Sequence, residues 1–167
     1  AAERLESEAQ RWSATTTDAV VAGDIKRGKS SLINALVRRP GLLPVDADVA
    51  TAVHLAVRHG SPESVTVTRV DHETGTTIAT EIDPSDLADY ASMAGDEAVV
   101  ATVTAAEIAI EHPLLERGLT IVDTPGVGGM TRGHRDVTMA ALQSADALVF
   151  VVSCSEPVSR SELEFLA

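Results

Sequence analysis

The sequence predicts an α/β domain in which a mostly parallel sheet is flanked by helices. Its 167 residues are 44% hydrophobic and 23% charged, which is typical of a single globular domain. Several short segments are apolar throughout, as expected of strands that are covered on both faces of a sheet. Segments with helical periodicity separate these strands. The third observation is the order strand, glycine-bounded loop, helix near the beginning of the chain.

The charge and cysteine content exclude several classes of protein. Asp and Glu number 25 against 13 Lys and Arg, and the net charge of −12 repels nucleic acid, so we expect no nucleic-acid partner. The only cysteine, Cys154, rules out an internal disulfide or a cysteine-based zinc site; we expect it to be a small packing residue after a buried strand. The longest apolar run, Ala147–Val152, is far shorter than the ~20 residues of a membrane span. These features predict a soluble protein of the reducing cytosol.

The first elements surround the glycine-bounded loop. Residues 1 to about 14 predict a helix, because their apolar residues recur at helical spacing. Asp18–Ala22 predicts a short strand, and Gly23–Ser30 follows it as the loop. Ser31–Val37 then predicts a helix, which the segment Arg39–Gly41 ends with its Pro-Gly pair.

In two stretches in the middle of the chain, apolar and polar residues alternate as they do in strands. These stretches are Thr51–Arg58 and Ser64–Val70, and both are rich in β-branched residues. The segment His59–Pro62 between them has the composition of a turn. The three segments together predict an antiparallel pair of strands.

The remaining predicted elements are three helices and three strands. A short helix is expected from Asp83, with Pro84 in its first turn, to about Ser92, because aspartate is a favourable helix cap and proline a favourable first residue. The other predicted elements are, in chain order, the strands Ala105–Glu111 and Leu119–Val122, a helix from about 133 to 144, the strand Ala147–Ser153 and a helix over Pro157–Ala167.

The pattern Gly23-x4-Gly28-Lys29-Ser30 matches the phosphate-binding loop of nucleoside triphosphatases. Phosphates need a ring of backbone N–H donors, and a glycine-bounded loop can aim those donors inward. Lys29 supplies a positive charge, Ser30 a hydroxyl ligand for Mg²⁺, and the following helix its N-terminal dipole. The alternative, a chance glycine-rich turn with an exposed lysine, is much less common in this context. We therefore expect nucleotide contacts from Gly23, Asp24, Ile25, Lys26, Arg27, Gly28, Lys29, Ser30 and Ser31.

A second motif, Asp123-Thr124-Pro125-Gly126, closes an apolar strand. An aspartate at the end of a strand beside the loop can hold a water of the Mg²⁺ ion, and the Gly126 N–H can sense a γ-phosphate. Alone the tetrapeptide is a common turn. Together with the loop it favours a triphosphatase that has a switch.

Such an enzyme needs a threonine between the two motifs, which closes on Mg²⁺ and orients the attacking water. Thr51, at the end of a loop and the start of a predicted strand, is the candidate. The alternative is that Thr51 has no such role, because threonine is frequent in the surrounding sequence. From the residues alone, the chain is predicted to be a Mg²⁺-dependent purine nucleoside triphosphatase.

Several segments resemble the bacterial dynamin-like GTPases and, within that family, the isoniazid-inducible branch. The resemblance covers residues from about 15 to the end. Its specific parts are the stretch from Leu42 to Val53 and the final helix; the phosphate loop is shared with many nucleotidases. The segments that carry it are Gly23–Leu36, Leu42–Asp46, Thr51–Val53, Arg58–Gly60, Val122–Val127 and Val149–Leu166.

The resemblance implies a self-associating GTPase whose G domain is carried on a helical neck and trunk. Residues 1–15 would be the first neck helix, with Trp12 in the neck contact or in the core, and residues 16–167 a P-loop GTPase G domain. By this similarity GTP, bound with Mg²⁺, is hydrolysed as G domains dimerise or form a higher oligomer, with Lys29 and Thr51 in catalytic roles. Membrane lipid would be bound by regions outside this chain, which would place the protein on the inner face of the plasma membrane. Dimerisation would be coupled to remodelling of that membrane by fission, fusion or maintenance.

Two departures from the family pattern qualify this expectation. The guanine-reading motif Asn/Thr-Lys-x-Asp is absent, since the only lysines, Lys26 and Lys29, are both in the loop. We therefore expect a partial G domain, incomplete on its C-terminal side, whose guanine specificity is inferred from the family. In addition, Ile25 and Lys26 stand where eukaryotic dynamins have Gln-Ser. Lys26, or Arg27, would then offset transition-state charge; the alternative is two basic residues on a solvated loop.

Two other functions share the same motifs. A translation-factor-type GTPase that assists ribosome or tRNA maturation would have the loop and the aspartate turn, but it would also need a basic RNA-binding surface. A nucleotide-binding scaffold that barely hydrolyses is favoured by the loss of Gln-Ser from the loop. Turnover and lipid binding of the intact protein separate the three.

Overall fold

The computed structural model describes residues 16–45, 53–71, 74–92, 96–126 and 141–166. Within these ranges, seven strands form one sheet; in chain order they are β1 (Thr17–Gly23), β2 (His54–His59), β3 (Ser64–Val70), β4 (Thr77–Ile82), β5 (Val103–Ile110), β6 (Leu119–Asp123) and β7 (Ala147–Val151). Their order across the sheet is β4-β3-β5-β2-β6-β1-β7. The predicted α/β class is confirmed. Three pairings are parallel and three antiparallel, so the sheet is mixed, and its parallel character is concentrated around β1.

Strand β1 places the phosphate loop at the carboxyl end of neighbouring parallel strands. It pairs in parallel with β6 on one side and with β7 on the other. Its residues from Val20 to Gly23 are buried, as expected of a strand inside a sheet. In the register with β6, Val21 lies opposite Asp123, so the aspartate turn and the phosphate loop begin at the same edge of the sheet.

The predicted antiparallel pair of Thr51–Arg58 and Ser64–Val70 is wrong in one respect. Both strands exist as β2 and β3, but β5 lies between them and pairs with each, in parallel with β2 and antiparallel with β3. Burial explains the insertion, because five of the eight residues of β5 are buried and a sixth is half-buried. These side chains are small or branched, which suits a central strand. A local turn signal cannot reveal a strand that is inserted from later in the chain.

In the described part of the chain, four helices accompany the sheet: α1 (Lys29–Leu36), α2 (Leu87–Ala91), α3 (Glu97–Val100) and α4 (Arg160–Leu166); residues 141–144 are also helical. Helix α1 buries Ile33 in the main core, together with Val37 directly after it. The expected cap at Asp83 is present, since its side chain accepts a hydrogen bond from the Ser85 amide. A single 3₁₀ turn, Pro84–Asp86, precedes α2.

Several expectations about the elements lie outside the described residues or are corrected. The helix expected over residues 1–14 and most of the one expected over 133–144 lie outside them. Strand β4 and helix α3 were not expected; β4 is an edge strand without a fully buried residue, so its apolar pattern is weak. Strand β7 lies at the other edge and is partly exposed, and Cys154 after it is exposed rather than packed. Within the described ranges, no helix has the length and apolar character needed to cross a membrane.

Candidate nucleotide-binding site

The phosphate loop connects β1 to α1 and has the backbone that glycine permits. A Cβ at Gly23 would lie 2.3 Å from the carbonyl oxygen of Val151 in β7, so only glycine fits between the two strands. Gly28, with φ 88°, is the N-cap of α1 and adopts the left-handed conformation. Lys26 also has positive φ, at 61°, which is uncommon for a residue with a side chain. The loop therefore contains two left-handed residues, one at its tip and one at the N-terminus of α1.

The Lys29 ammonium lies inside this loop. Only 7% of Lys29 is exposed, and its Nζ donates a hydrogen bond to the carbonyl oxygen of Asp24 at 3.0 Å. Burial lowers the pKa of Lys29 below its ordinary value, while the charges of Asp123 and Asp24 oppose that shift. A partly desolvated cation at a helix N-terminus is well suited to bind a phosphate oxygen.

Ser30 and Asp123 meet across the site. The Ser30 hydroxyl donates to Oδ2 of Asp123 over 2.5 Å, although the two residues are 93 positions apart. Asp123 is fully buried at the carboxyl end of β6. A hydroxyl and a carboxylate form the hard oxygen-donor set that Mg²⁺ prefers, and Mg²⁺ in nucleotide sites needs only one or two protein oxygens because water and phosphates complete its shell. The residues present therefore fit this ion.

The aspartate turn lies directly against the phosphate loop. Thr124 is fully buried, and its hydroxyl donates to the carbonyl oxygen of Val21 in β1 at 2.9 Å. A Cβ placed on Gly126 would come within 2.5 Å of the Ile25 side chain and within 2.6 Å of its amide nitrogen. The second motif is thus anchored to β1 at one end and packed against the middle of the loop at the other.

The structure places the predicted site residues in different surroundings. Gly23 and Gly28 shape the backbone of the loop, and the side chains of Asp24 and Arg27 contact the segment 156–162. Lys29, Ser30, Asp123 and Gly126 converge around the loop. Ile25 and Lys26 are exposed at its tip, and Ser31 is exposed on the first turn of α1. Thr51 lies outside the described residues. The roles assigned to all of these residues stay predictions.

Sequence reasoning missed the segment 156–162, whose side chains hold the phosphate loop from outside the site. Asp24 and Arg27 contact side chains of the segment 156–162, among them Ser159 and Glu162. A signal was available, because Ser159-x-x-Glu162 has the form of a helix capping box before an apolar helix. The motif predicts the start of α4, but it does not indicate a contact with a loop more than 130 residues away.

Comparisons with known proteins show the family to which the chain belongs. The model of the dynamin family matches residues 19–167. The isoniazid-induced protein IniA of Mycobacterium tuberculosis (strain H37Rv) is 33% identical over 167 residues, which cover 98% of this chain and 25% of IniA. A bacterial dynamin-like protein of Nostoc punctiforme is 30% identical over 156 residues, which cover 88% of this chain and 22% of that protein. The chain thus spans about a quarter of the length of these two relatives.

Solved structures give the same fold. Two structures from work on an oligomerised bacterial dynamin pair, described as a mechanism for long-range sensing and tethering of membranes, superimpose with TM-scores of 0.73 and 0.69. Their sequences are 20% and 19% identical to this chain. The match covers 98% of this chain and 27% and 31% of the two solved chains. At this identity the likeness is one of fold.

Proposed function

The chain belongs to the dynamin family and has its G-domain fold, and we propose that it carries the active site of a dynamin-like GTPase that hydrolyses GTP with Mg²⁺. The observation that carries the proposal is the contact between Ser30 and Asp123 beside the buried Lys29. It joins the phosphate loop and the aspartate turn at one point, which a chance glycine-rich turn would not do.

Different residues of the chain bind the phosphates and the metal ion. The loop N–H groups and the dipole of α1 bind the β- and γ-phosphates, and the Lys29 ammonium donates to their oxygens in place of the Asp24 carbonyl. Ser30, Thr51 and Asp123 would hold Mg²⁺, which neutralises charge on the phosphates when it is bound. The Gly126 N–H, beside Ile25, responds to the presence of the γ-phosphate.

Lys26 is proposed to act on the transition state. Its side chain is exposed at the tip of the loop, where its backbone has the positive φ of the left-handed region. Because the side chain is exposed, its ammonium is accessible to a phosphate across a G-domain dimer interface. A positive charge there would offset the charge that develops during phosphoryl transfer.

Dimerisation through G domains and membrane binding complete the proposal. Their support is the family and the description of the solved relatives as an oligomerised pair that senses and tethers membranes. We propose that this protein forms at least a homodimer through its G domain. Lipid contact would come from regions outside these 167 residues, on the cytoplasmic face of the plasma membrane.

The test is GTP turnover per subunit as a function of protein concentration, measured on the full-length natural protein with Lys29→Ala as the blank. Specific activity that rises with concentration and vanishes in the blank supports hydrolysis completed by G-domain pairing. Flat activity would favour the translation-factor-type GTPase. No activity above the blank would favour the nucleotide-binding scaffold. Co-sedimentation of the same protein with anionic liposomes tests the membrane part.

A further inference from the structure

The outer side of the phosphate loop is held by a buried ion pair. The Arg27 Nε donates to Oε1 of Glu162 at 3.0 Å, and a second guanidinium nitrogen contacts Glu156. The side chain of Arg27 is 9% exposed and that of Glu162 is fully buried, whereas that of Glu156 is 66% exposed. Because exposed ion pairs contribute little, the contact with Glu162 is the one that fixes Arg27.

A second contact ties the same loop to the same segment. Oδ2 of Asp24 accepts hydrogen bonds from the hydroxyls of Ser159 at 2.9 Å and of Ser161 at 3.2 Å. Asp24 and Arg27 lie on either side of the exposed tip formed by Ile25 and Lys26. The loop is therefore attached to the start of α4 on both sides of its tip.

Ser159 and Glu162 also form the capping box of α4. The Ser159 amide donates to Oε2 of Glu162 at 2.6 Å, and the Glu162 amide donates to the Ser159 hydroxyl oxygen at 3.2 Å. The cap fixes the Glu162 carboxylate relative to the helix, so that its other oxygen faces Arg27. Chiefly because of the Ser159 amide, and with help from Arg27, the pKa of Glu162 is held below its usual range despite burial.

We propose that Glu162 is a positioning residue for nucleotide binding: through Arg27 it holds the phosphate loop in the shape that receives the phosphates. This inference rests on the function proposed above. The loop contains the left-handed residue Lys26, a conformation that is uncommon for a residue with a side chain and that the surrounding contacts have to hold. A loop that is already held in this shape loses less conformational entropy on binding, which raises affinity.

A capping role alone would make Glu162 replaceable by glutamine, because the capping box accepts either residue. The ion pair would not survive that change. In Glu162→Gln the single amide oxygen can still accept from the Ser159 N–H, but the amide NH₂ then faces the Arg27 guanidinium, donor against donor. The variant therefore separates the helix cap from the hold on the loop.

The experiment measures the Kd of a fluorescent GDP analogue, and the KM and kcat for GTP, in the full-length natural protein. The variants are Glu162→Gln, Arg27→Gln and the double variant. Glu164→Gln is the matched control, because Glu164 makes an exposed ion pair with Arg160 on the same helix. We expect Kd to rise about tenfold in Glu162→Gln, KM to rise by more than kcat falls, and Glu164→Gln to match the wild type. In the Arg27→Gln background, the added effect of Glu162→Gln should largely disappear.

Three results would overturn the inference. An unchanged or lower Kd in Glu162→Gln would leave Glu162 as a helix cap only. An effect that keeps its full size in the Arg27→Gln background would show that it does not act through Arg27. An equal effect in Glu164→Gln would mean that any loss of charge on α4 has the same result. A wild-type protein that binds no nucleotide would refute the proposed function, which is a separate outcome.

Discussion

Gly126 lies against the backbone of Ile25 with no room for a side chain. A Cβ on residue 126 would be 2.6 Å from the Ile25 amide nitrogen and 2.7 Å from its Cα, distances that real Cβ atoms do not adopt. The contact joins the end of the aspartate turn to the middle of the phosphate loop. A displacement of either segment toward the other must therefore move that other segment as well.

Gly126→Ala should impair both segments. Because the new methyl group meets the backbone atoms of Ile25 as well as its side chain, a change of side-chain rotamer cannot relieve the clash, and the loop or the turn has to shift. A displacement of the phosphate-binding groups of this kind is expected to lower GTP turnover by about 100-fold. Steady-state hydrolysis of GTP, together with the Kd for GTP and GDP, measures the effect.

The control for this prediction is Gly75→Ala. Gly75 has φ 67°, so alanine there is strained, but a Cβ would have no neighbour within 4 Å. The residue lies just before β4, at the edge of the sheet far from the phosphate loop. Turnover near the wild-type value in Gly75→Ala and a large loss in Gly126→Ala would agree with the contact; equal losses would contradict it.

Asn34 should be important for stability. Its side chain is buried and bridges to the loop after α1: Nδ2 donates to the carbonyl oxygen of Leu43 at 2.9 Å, and Oδ1 accepts from the Leu43 amide at 2.8 Å. Asn34→Ala leaves both buried backbone groups of Leu43 without these partners. We expect the free energy of unfolding to fall by about 3 kcal/mol.

Thermal or denaturant unfolding of the natural protein, with Leu36→Ala as the comparison, tests this prediction. Leu36 is in the same helix but 45% exposed, so its truncation should change the free energy of unfolding by no more than about 0.5 kcal/mol. Faster hydrogen exchange at the Leu43 amide in Asn34→Ala would locate the loss. Equal midpoints for the two variants would argue against a structural role for Asn34.

The sequence predicted the strands well where burial dominates and poorly where pairing is non-local. The apolar segments that became β1 and β6 were identified within a residue or two, because a strand inside a sheet has to be apolar along its length. The supposed β2–β3 pair was wrong because β5 enters between them from a distant part of the chain. The edge strand β4 buries too little apolar surface to leave a clear pattern.

In the candidate site, too, motif-encoded contacts were predicted and contacts between distant segments were not. The convergence of Lys29, Ser30 and Asp123 was predicted because motif spacing reflects local loop geometry and the ends of neighbouring parallel strands. The attachment of Arg27 to Glu162 was not predicted. Such a pairing depends on how α4 packs beside the loop, and no periodicity in the sequence encodes that packing.

The buried Lys29 should make nucleotide binding sensitive to alkaline pH. Burial holds the pKa of Lys29 below its ordinary value of 10.5 in the nucleotide-free protein, and the negative charge of a bound phosphate should raise it again. The bound state then holds more protons than the free state. By linkage, affinity for nucleotide should fall as pH rises through the lowered pKa of the free protein, at a pH below 10.5.

Titration of a fluorescent GDP analogue between about pH 7 and pH 10 measures this dependence, with the far-ultraviolet circular dichroism recorded at each pH to show that the fold persists. Lys29→Ala lacks the titrating group, so its weaker affinity should show no corresponding alkaline decline. A wild-type affinity that is constant over the whole range would contradict the predicted shift. An equal decline in Lys29→Ala would assign it to another group.

The last prediction concerns Lys26, for which Arg38 provides a matched control. Lys26 and Arg38 are the two non-glycine residues with positive φ among the described residues, at 61° and 50°, and both carry an exposed cation. Only Lys26 is at the tip of the phosphate loop. If it offsets charge on the transferring phosphoryl group, Lys26→Ala should lower kcat at high protein concentration by about 100-fold. Arg38→Ala removes a similar charge from the end of α1 and should leave turnover near the wild-type value. Turnover of Lys26→Ala equal to that of the wild type at every protein concentration would mean that Lys26 is only a solvated residue of the loop.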